Sequence, residues 1–159
     1  MVMVTDTDVR RLADGTGRPV TEFARLVGDD DITLDKRSPW WVRLARGRYV
    51  MALRWRRGGC VFLGADNRCT VYEHRPVACR EHPFNITHSE TGALLHLSMS
   101  RVVPCPHEWD GDLKRRDLVA QSRWTNRESE AYTELVKQWN RRGDGARTRP
   151  AFLRYLGLA

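Results

Sequence analysis

Cys60, Cys69, Cys79 and Cys105 are the residues of this 159-residue chain whose type and spacing point most directly to chemistry. Eight, nine and twenty-five residues separate them, and the first three fall in one segment, CVFLGADNRCTVYEHRPVACREHPF. Thiols gathered from separate stretches of a chain in a reducing compartment point to a metal site rather than to a disulfide framework. The start of the chain speaks for that compartment: MVMVTDTDVRRL reaches acidic residues almost at once and has no apolar h-region. No stretch approaches the roughly 18 apolar residues that span a bilayer. A soluble, cytoplasmic protein with no membrane partner is expected.

The spacing leaves the metal open. Structural zinc usually takes ligands in pairs roughly two to four residues apart, and no such pair is present. A four-iron cluster is larger, its thiolates stand farther apart, and ligands delivered from separate loops suit it at least as well. The expected cofactor is therefore an iron-sulfur cluster, with 4Fe-4S favoured, or zinc, in a structural, electron-transfer or accessory role. Arg75 and Arg80 flank Cys79, where guanidinium groups would offset thiolate charge. Among the five histidines, His82 and His107 are the alternative ligands, each lying close in sequence to a cysteine. A nucleophilic pair of Cys79 with His82 lacks a third member and an oxyanion device. No acid-base constellation nominates a catalytic residue. A small redox or protein-modifying enzyme remains an alternative, although four cysteines would saturate a zinc that hydrolysis needs open.

The elements that must position these residues follow from periodicity. Thr5 and Asp8 have capping-box spacing ahead of Val9, Leu12 and Ala13, with Asp14-Gly15 as a stop. A second helix is expected from Pro19 or Thr21, with Phe23, Leu26 and Val27 on one face and Gly28 at its end. Residues 48–56 alternate as a half-buried strand does. GADNR between Val61-Phe62-Leu63 and Thr70-Val71-Tyr72 reads as the turn of a small hairpin with Cys60 and Cys69 on opposite arms. Pro76 and Pro83 leave room for about two turns of helix around Cys79. ALLHLSMSRVV, 93–103, is expected to pair with the 48–56 strand before Pro104 presents Cys105. An amphipathic helix over 126–141 and a docked apolar piece, AFLRYLGLA, complete the chain. The expected fold is a small α+β domain: an antiparallel sheet carrying cysteine-bearing loops, short N-terminal helices and a longer C-terminal helix. One domain over 1–159 is expected, with a core of about 4–109 and a helical extension over about 110–159.

The 27 Lys and Arg against 20 Asp and Glu give a net charge of +7. Such a surface attracts nucleic acid, an acidic protein or acidic lipid. A basic nucleic-acid-binding module held by structural zinc is thus the second reading. It would use Arg54, Arg56, Arg57, Lys114, Arg115 and Arg116 on phosphates, with Trp40, Trp41 or Trp55 stacking on bases. An unidentified protein or redox partner is the other expectation.

Cys60-Val-Phe-Leu, Cys69-Thr-Val-Tyr, Arg75-Pro76, Cys79-Arg80 and Pro83-Phe84 together resemble the signature of the YkgJ-type cysteine-cluster family, and MVTDTDVRRL is similar to its opening segment. The resemblance covers about residues 4–109 and implies a zinc- or iron-chelating domain. Members typically carry a C-x-x-C-x-x-CC cluster just before the segment at which this chain begins. Either that half of the cysteine set is absent, and the four that remain suffice for one tetrahedral metal or one four-iron cluster, or further ligands lie upstream. Related cysteine clusters occur in flagellin lysine-N-methylases. Nothing here supplies a G-x-G-x-x-G motif or a separate cofactor domain, so that activity is not expected.

Overall fold

The computed structural model describes residues 1–56, 58–89, 91, 93–100, 114–142 and 145–159. Helix α1, Asp6–Thr16, starts at the expected capping box: Thr5 accepts from the Asp8 N–H and Asp8 accepts from the Thr5 N–H, both at 3.0 Å. The helix runs past Gly15 and ends at Gly17, whose φ of 66° gives the left-handed cap. Gly15 has a packing reason instead. A Cβ there would meet the His74 ring at 2.4 Å, so its absence lets the cysteine segment press against α1.

The expected second helix is corrected: α2 covers only Val20–Phe23, and Ala24–Gly28 is a strand, β1. Leu26 and Val27 share no helical face because they alternate across a sheet, one toward the main core and the other toward a second cluster. Strands β2, Val42–Leu44, and β3, Gly47–Leu53, complete an antiparallel sheet of order β1-β3-β2, with Ala24 opposite Leu53 and Val42 opposite Tyr49. The free end of β3 on the β2 side is taken by residues 2–4, through Val4 N–H to Met51 O at 3.0 Å and Leu53 N–H to Val2 O at 2.9 Å. The half-buried reading of β3 is also corrected, because both of its faces are covered. Met51 and Leu53 enter the main core, while Val50 and Ala52 pack with Val27 and Trp41.

Strands β4, Trp55–Arg56, and β5, Gly59–Cys60, pair in a short hairpin. Helix α3, Val77–Glu81, follows, then β6, Phe84–His88, and β7, Leu94–Met99. The expected pairing of β7 with the 48–56 strand is overturned: β7 pairs with β6, Phe84 opposite Met99. Both edges of β3 are occupied, whereas β6 lies a short connection away, and loop closure favours the nearer partner.

Helix α4, Arg115–Arg141, begins eleven residues before the expected Asn126. Its first half is buried through polar groups that carry no hydrophobic period: Ser122 shares a hydrogen bond of 2.9 Å with His88 Nε2, and Thr125 donates to Glu81. Its second half places Tyr132, Val136 and Trp139 in the main core beside Val9, Leu12 and Phe23. Helix α5, Arg149–Tyr155, docks as expected, with Phe152 fully buried against Trp139. The result is the α+β class expected, with small antiparallel sheets, short N-terminal helices and one long helix near the C-terminus. Among the described residues no helix is long and apolar enough to cross a membrane.

Candidate metal centre

Three elements deliver the three described cysteines. Cys60 ends β5, opposite Trp55. Cys69 forms a bridge to Leu63 across the expected hairpin, which is closed by Gly64 N–H to Arg68 O at 2.8 Å and Thr70 N–H to Phe62 O at 2.9 Å. Asn67, at φ 61°, supplies the left-handed turn residue, a conformation that asparagine tolerates. Cys79 sits in α3, and all three thiols are partly buried. Cys105 and His107, like Arg57, lie outside the described residues.

The three thiols share one electrostatic neighbourhood. Burial pushes the Cys79 thiol up from about 9 to about 11, and the charges of Cys60, Cys69 and Asp8 add to the rise while Arg75 opposes it. Burial also raises Cys60; a hydrogen bond from the Phe62 backbone opposes that rise and Cys69 adds to it. Burial plus repulsion from the neighbouring thiols makes the Cys60 and Cys79 positions poor places for bare thiolates and favourable ones for thiolates neutralised by a cation. Among the described residues, no three His, Cys, Asp or Glu side chains converge as closely as a single ion demands. The donors therefore fit thiolate-binding metal chemistry by type and mutual influence.

A thiol whose pKa is raised on folding stabilises the fold while it stays protonated. Between about 9 and about 11 the unfolded chain has lost the Cys79 proton and the folded chain has kept it, so stability falls as pH rises through that window. Metal-free protein is accordingly expected to lose thermal stability from pH 9 to 11, and Cys79→Ala is expected to flatten the decline. Melting temperatures across this range check it; equal slopes for both proteins would contradict the assignment.

Asp8 holds Cys79 in place, a role that the local reading of α1 missed. Its carboxylate is fully buried, and Oδ1 accepts the Val77 N–H, the first of α3, at 2.9 Å. Arg11 Nη1 donates to the same oxygen at 3.0 Å and to the Arg75 carbonyl at 3.2 Å, binding α1 to the turn before α3. The only sequence signal was the capping-box spacing, which accounts for one carboxylate oxygen and leaves the other unassigned. Trp124 was likewise unsuspected. The guanidinium of Arg11 lies 4.9 Å, and that of Arg80 5.6 Å, from its ring centroid.

Arg75 and Arg80 differ. Arg75 lowers the Cys79 pKa while its Nε donates to Tyr72 O at 2.9 Å and its guanidinium lies 3.5 Å over the Tyr72 ring. Arg80 instead braces the backbone, through Nε to Arg75 O at 2.9 Å and Nη2 to Glu73 O. Its own pKa is lowered by burial and by Arg11 and Arg75. His82 lines a cleft of about 440 Å³ with Cys79, Glu81, Trp40 and Thr125. Of the tryptophans considered for base stacking, Trp41 is sealed in the second cluster and Trp40 packs edge-on against Tyr132, which leaves Trp55 at 48% exposure.

No curated protein and no solved structure matches the chain. A sequence profile of the CxxCxxCC family, described as "Putative zinc- or iron-chelating domain", matches residues 2–100. The match takes in Cys60, Cys69 and Cys79 with the α1 segment that braces them, and stops short of Cys105. Covering more than half of the chain, it places this protein in the CxxCxxCC family of zinc- or iron-chelating domains.

Proposed function

We propose that the protein holds an iron-sulfur cluster of the four-iron type, or zinc, through Cys60, Cys69, Cys79 and Cys105, in a structural, electron-carrying or accessory role. The observation that carries this reading is the delivery of Cys60, Cys69 and Cys79 by a strand end, a hairpin arm and a helix into one electrostatic neighbourhood. The wide spacing of the cysteines along the chain, with no pair two to four residues apart, supports a larger cluster over one small ion. When bound, a cluster supplies a one-electron redox centre, whereas zinc supplies a rigid cross-link. The chain's own residues orient the donors: Asp8 and Arg11 anchor α3, Arg80 braces its entry, and Arg75 favours the Cys79 thiolate.

Metal and acid-labile sulfide analysis with a visible spectrum, on protein purified without oxygen, tests the reading. Iron with sulfide and a brown charge-transfer band is the expected result. Stoichiometric zinc in colourless protein would make the site structural, and folded protein with no metal and four free thiols would overturn the reading.

A further inference from the structure

Six cationic side chains, Lys36, Arg37, Arg43, Arg48, Lys137 and Arg141, line one cleft of about 420 Å³, and no carboxylate lines it. The cations come from the loop before β2, from the β2-β3 hairpin and from the end of α4. Their backbone is firmly seated. Asn140 accepts the Arg43 N–H at 2.8 Å and donates to Trp41 O at 2.7 Å, Trp139 Nε1 donates to Arg43 O at 3.1 Å, and Trp41 Nε1 donates to Asp35 O at 2.8 Å.

Two nearby carboxylates pair with three of the six cations. Asp29 pairs with Arg48 at 2.9 Å, and Glu134 lies 3.8 Å from Lys137 and 4.0 Å from Arg141. Lys36, Arg37 and Arg43 have exposed side chains and no carboxylate partner among the described residues. Exposed cations spread over three elements form no enclosed shell for a small anion. They suit a polyanion whose own charges are spaced along a chain. The one tryptophan of the cleft, Trp41, is only 5% exposed and lies under the Arg48 guanidinium, so no ring is presented for stacking on bases.

We propose that this cleft binds the phosphodiester backbone of nucleic acid, without reading sequence. The residues differ from the basic runs at 54–57 and 114–116, and the cleft shares no lining residue with the cysteine segment, so the inference is independent of the metal reading.

Fluorescence anisotropy of labelled oligothymidylate and of a labelled duplex, titrated with the full chain between about 50 and 200 mM salt, tests it. Binding is expected at low salt and should weaken steeply as salt rises. The Arg37→Gln/Arg43→Gln variant should lower affinity at low salt about tenfold and reduce the salt slope by about 2, near one unit per lost phosphate contact. The Arg25→Gln/Arg127→Gln variant, at exposed arginines outside the cleft and outside those basic runs, changes net charge equally and should bind as the parent does. Melting temperatures of both variants check that they fold. Absence of binding at low salt overturns the proposal, as does equal loss in the two variants. Polyglutamate binding as tightly as nucleic acid, with the same loss in Arg37→Gln/Arg43→Gln, would assign the cleft to an acidic protein partner and overturn it too.

Discussion

Alanine at Asp8 is expected to lower the unfolding free energy by about 3–5 kcal/mol, the range found when one member of a buried charged pair is removed. The side chain is fully buried, and its two oxygens accept from Thr5 N–H, Val77 N–H and Arg11. Truncation strips the buried donors of their acceptor at once, and each orphaned amide adds a desolvation penalty. Arg11 retains the Arg75 carbonyl at 3.2 Å and, as its one remaining carboxylate among the described residues, Glu128 at 3.8 Å. Against the roughly 5–15 kcal/mol that stabilises a typical domain, such a loss removes a large fraction of the whole. Urea unfolding should show a lower midpoint at unchanged slope. Asp8→Asn keeps one acceptor but turns an amide donor toward another, so it should recover only part of the loss. Because the bond to Val77 locates α3, Asp8→Ala should also weaken metal retention, and a stability loss below about 1 kcal/mol would show that the carboxylate does not anchor the helix.

Serine at Cys79 is expected to reduce metal retention more than about 100-fold, beyond the range seen for changes to groups that merely orient a ligand. The hydroxyl nearly matches the thiol in size, so packing changes little, but at neutral pH it stays protonated and ligates soft metal poorly. Cys79 is the thiol on which both Cys60 and Cys69 act, so its loss leaves the other two without their common partner. Since metal binding contributes to folding free energy, the melting temperature of Cys79→Ser as purified should fall to that of chelator-treated parent protein. The two proteins should then melt together whether or not metal is added to the variant. Retention of the parent's full metal content by Cys79→Ser would exclude Cys79 as a ligand.

Much of the candidate site was legible because it depends on neighbours in the chain. The capping box at Thr5 and Asp8, the GADNR turn that sets Cys69 against Leu63, and the short helix confined between Pro76 and Pro83 each arise from backbone preferences and hydrogen bonds spanning a few residues. The composite signature around Cys60, Cys69 and Cys79 was readable for the same reason, since its parts lie within one continuous segment.

The misjudged elements share another cause. Leu26 and Val27 fit a helical face in sequence, yet the open edge of β3 drew them into a strand. The start of α4 was invisible because Ser122 and Thr125 are buried by hydrogen bonds with β6 and α3 rather than by apolar contact. By itself, then, the sequence determined the cysteine set, its local turns, the start of α1 and the short helix around Cys79, the family and the excess of positive charge, all properties of composition or of short-range geometry. Only the tertiary structure decided that β7 joins β6, that Asp8 reaches across sixty-nine residues to Val77, and that cations far apart in the chain line one cleft around Asn140. Those outcomes depend on which sheet edges and buried donors the rest of the fold leaves unpaired, and no local preference specifies that.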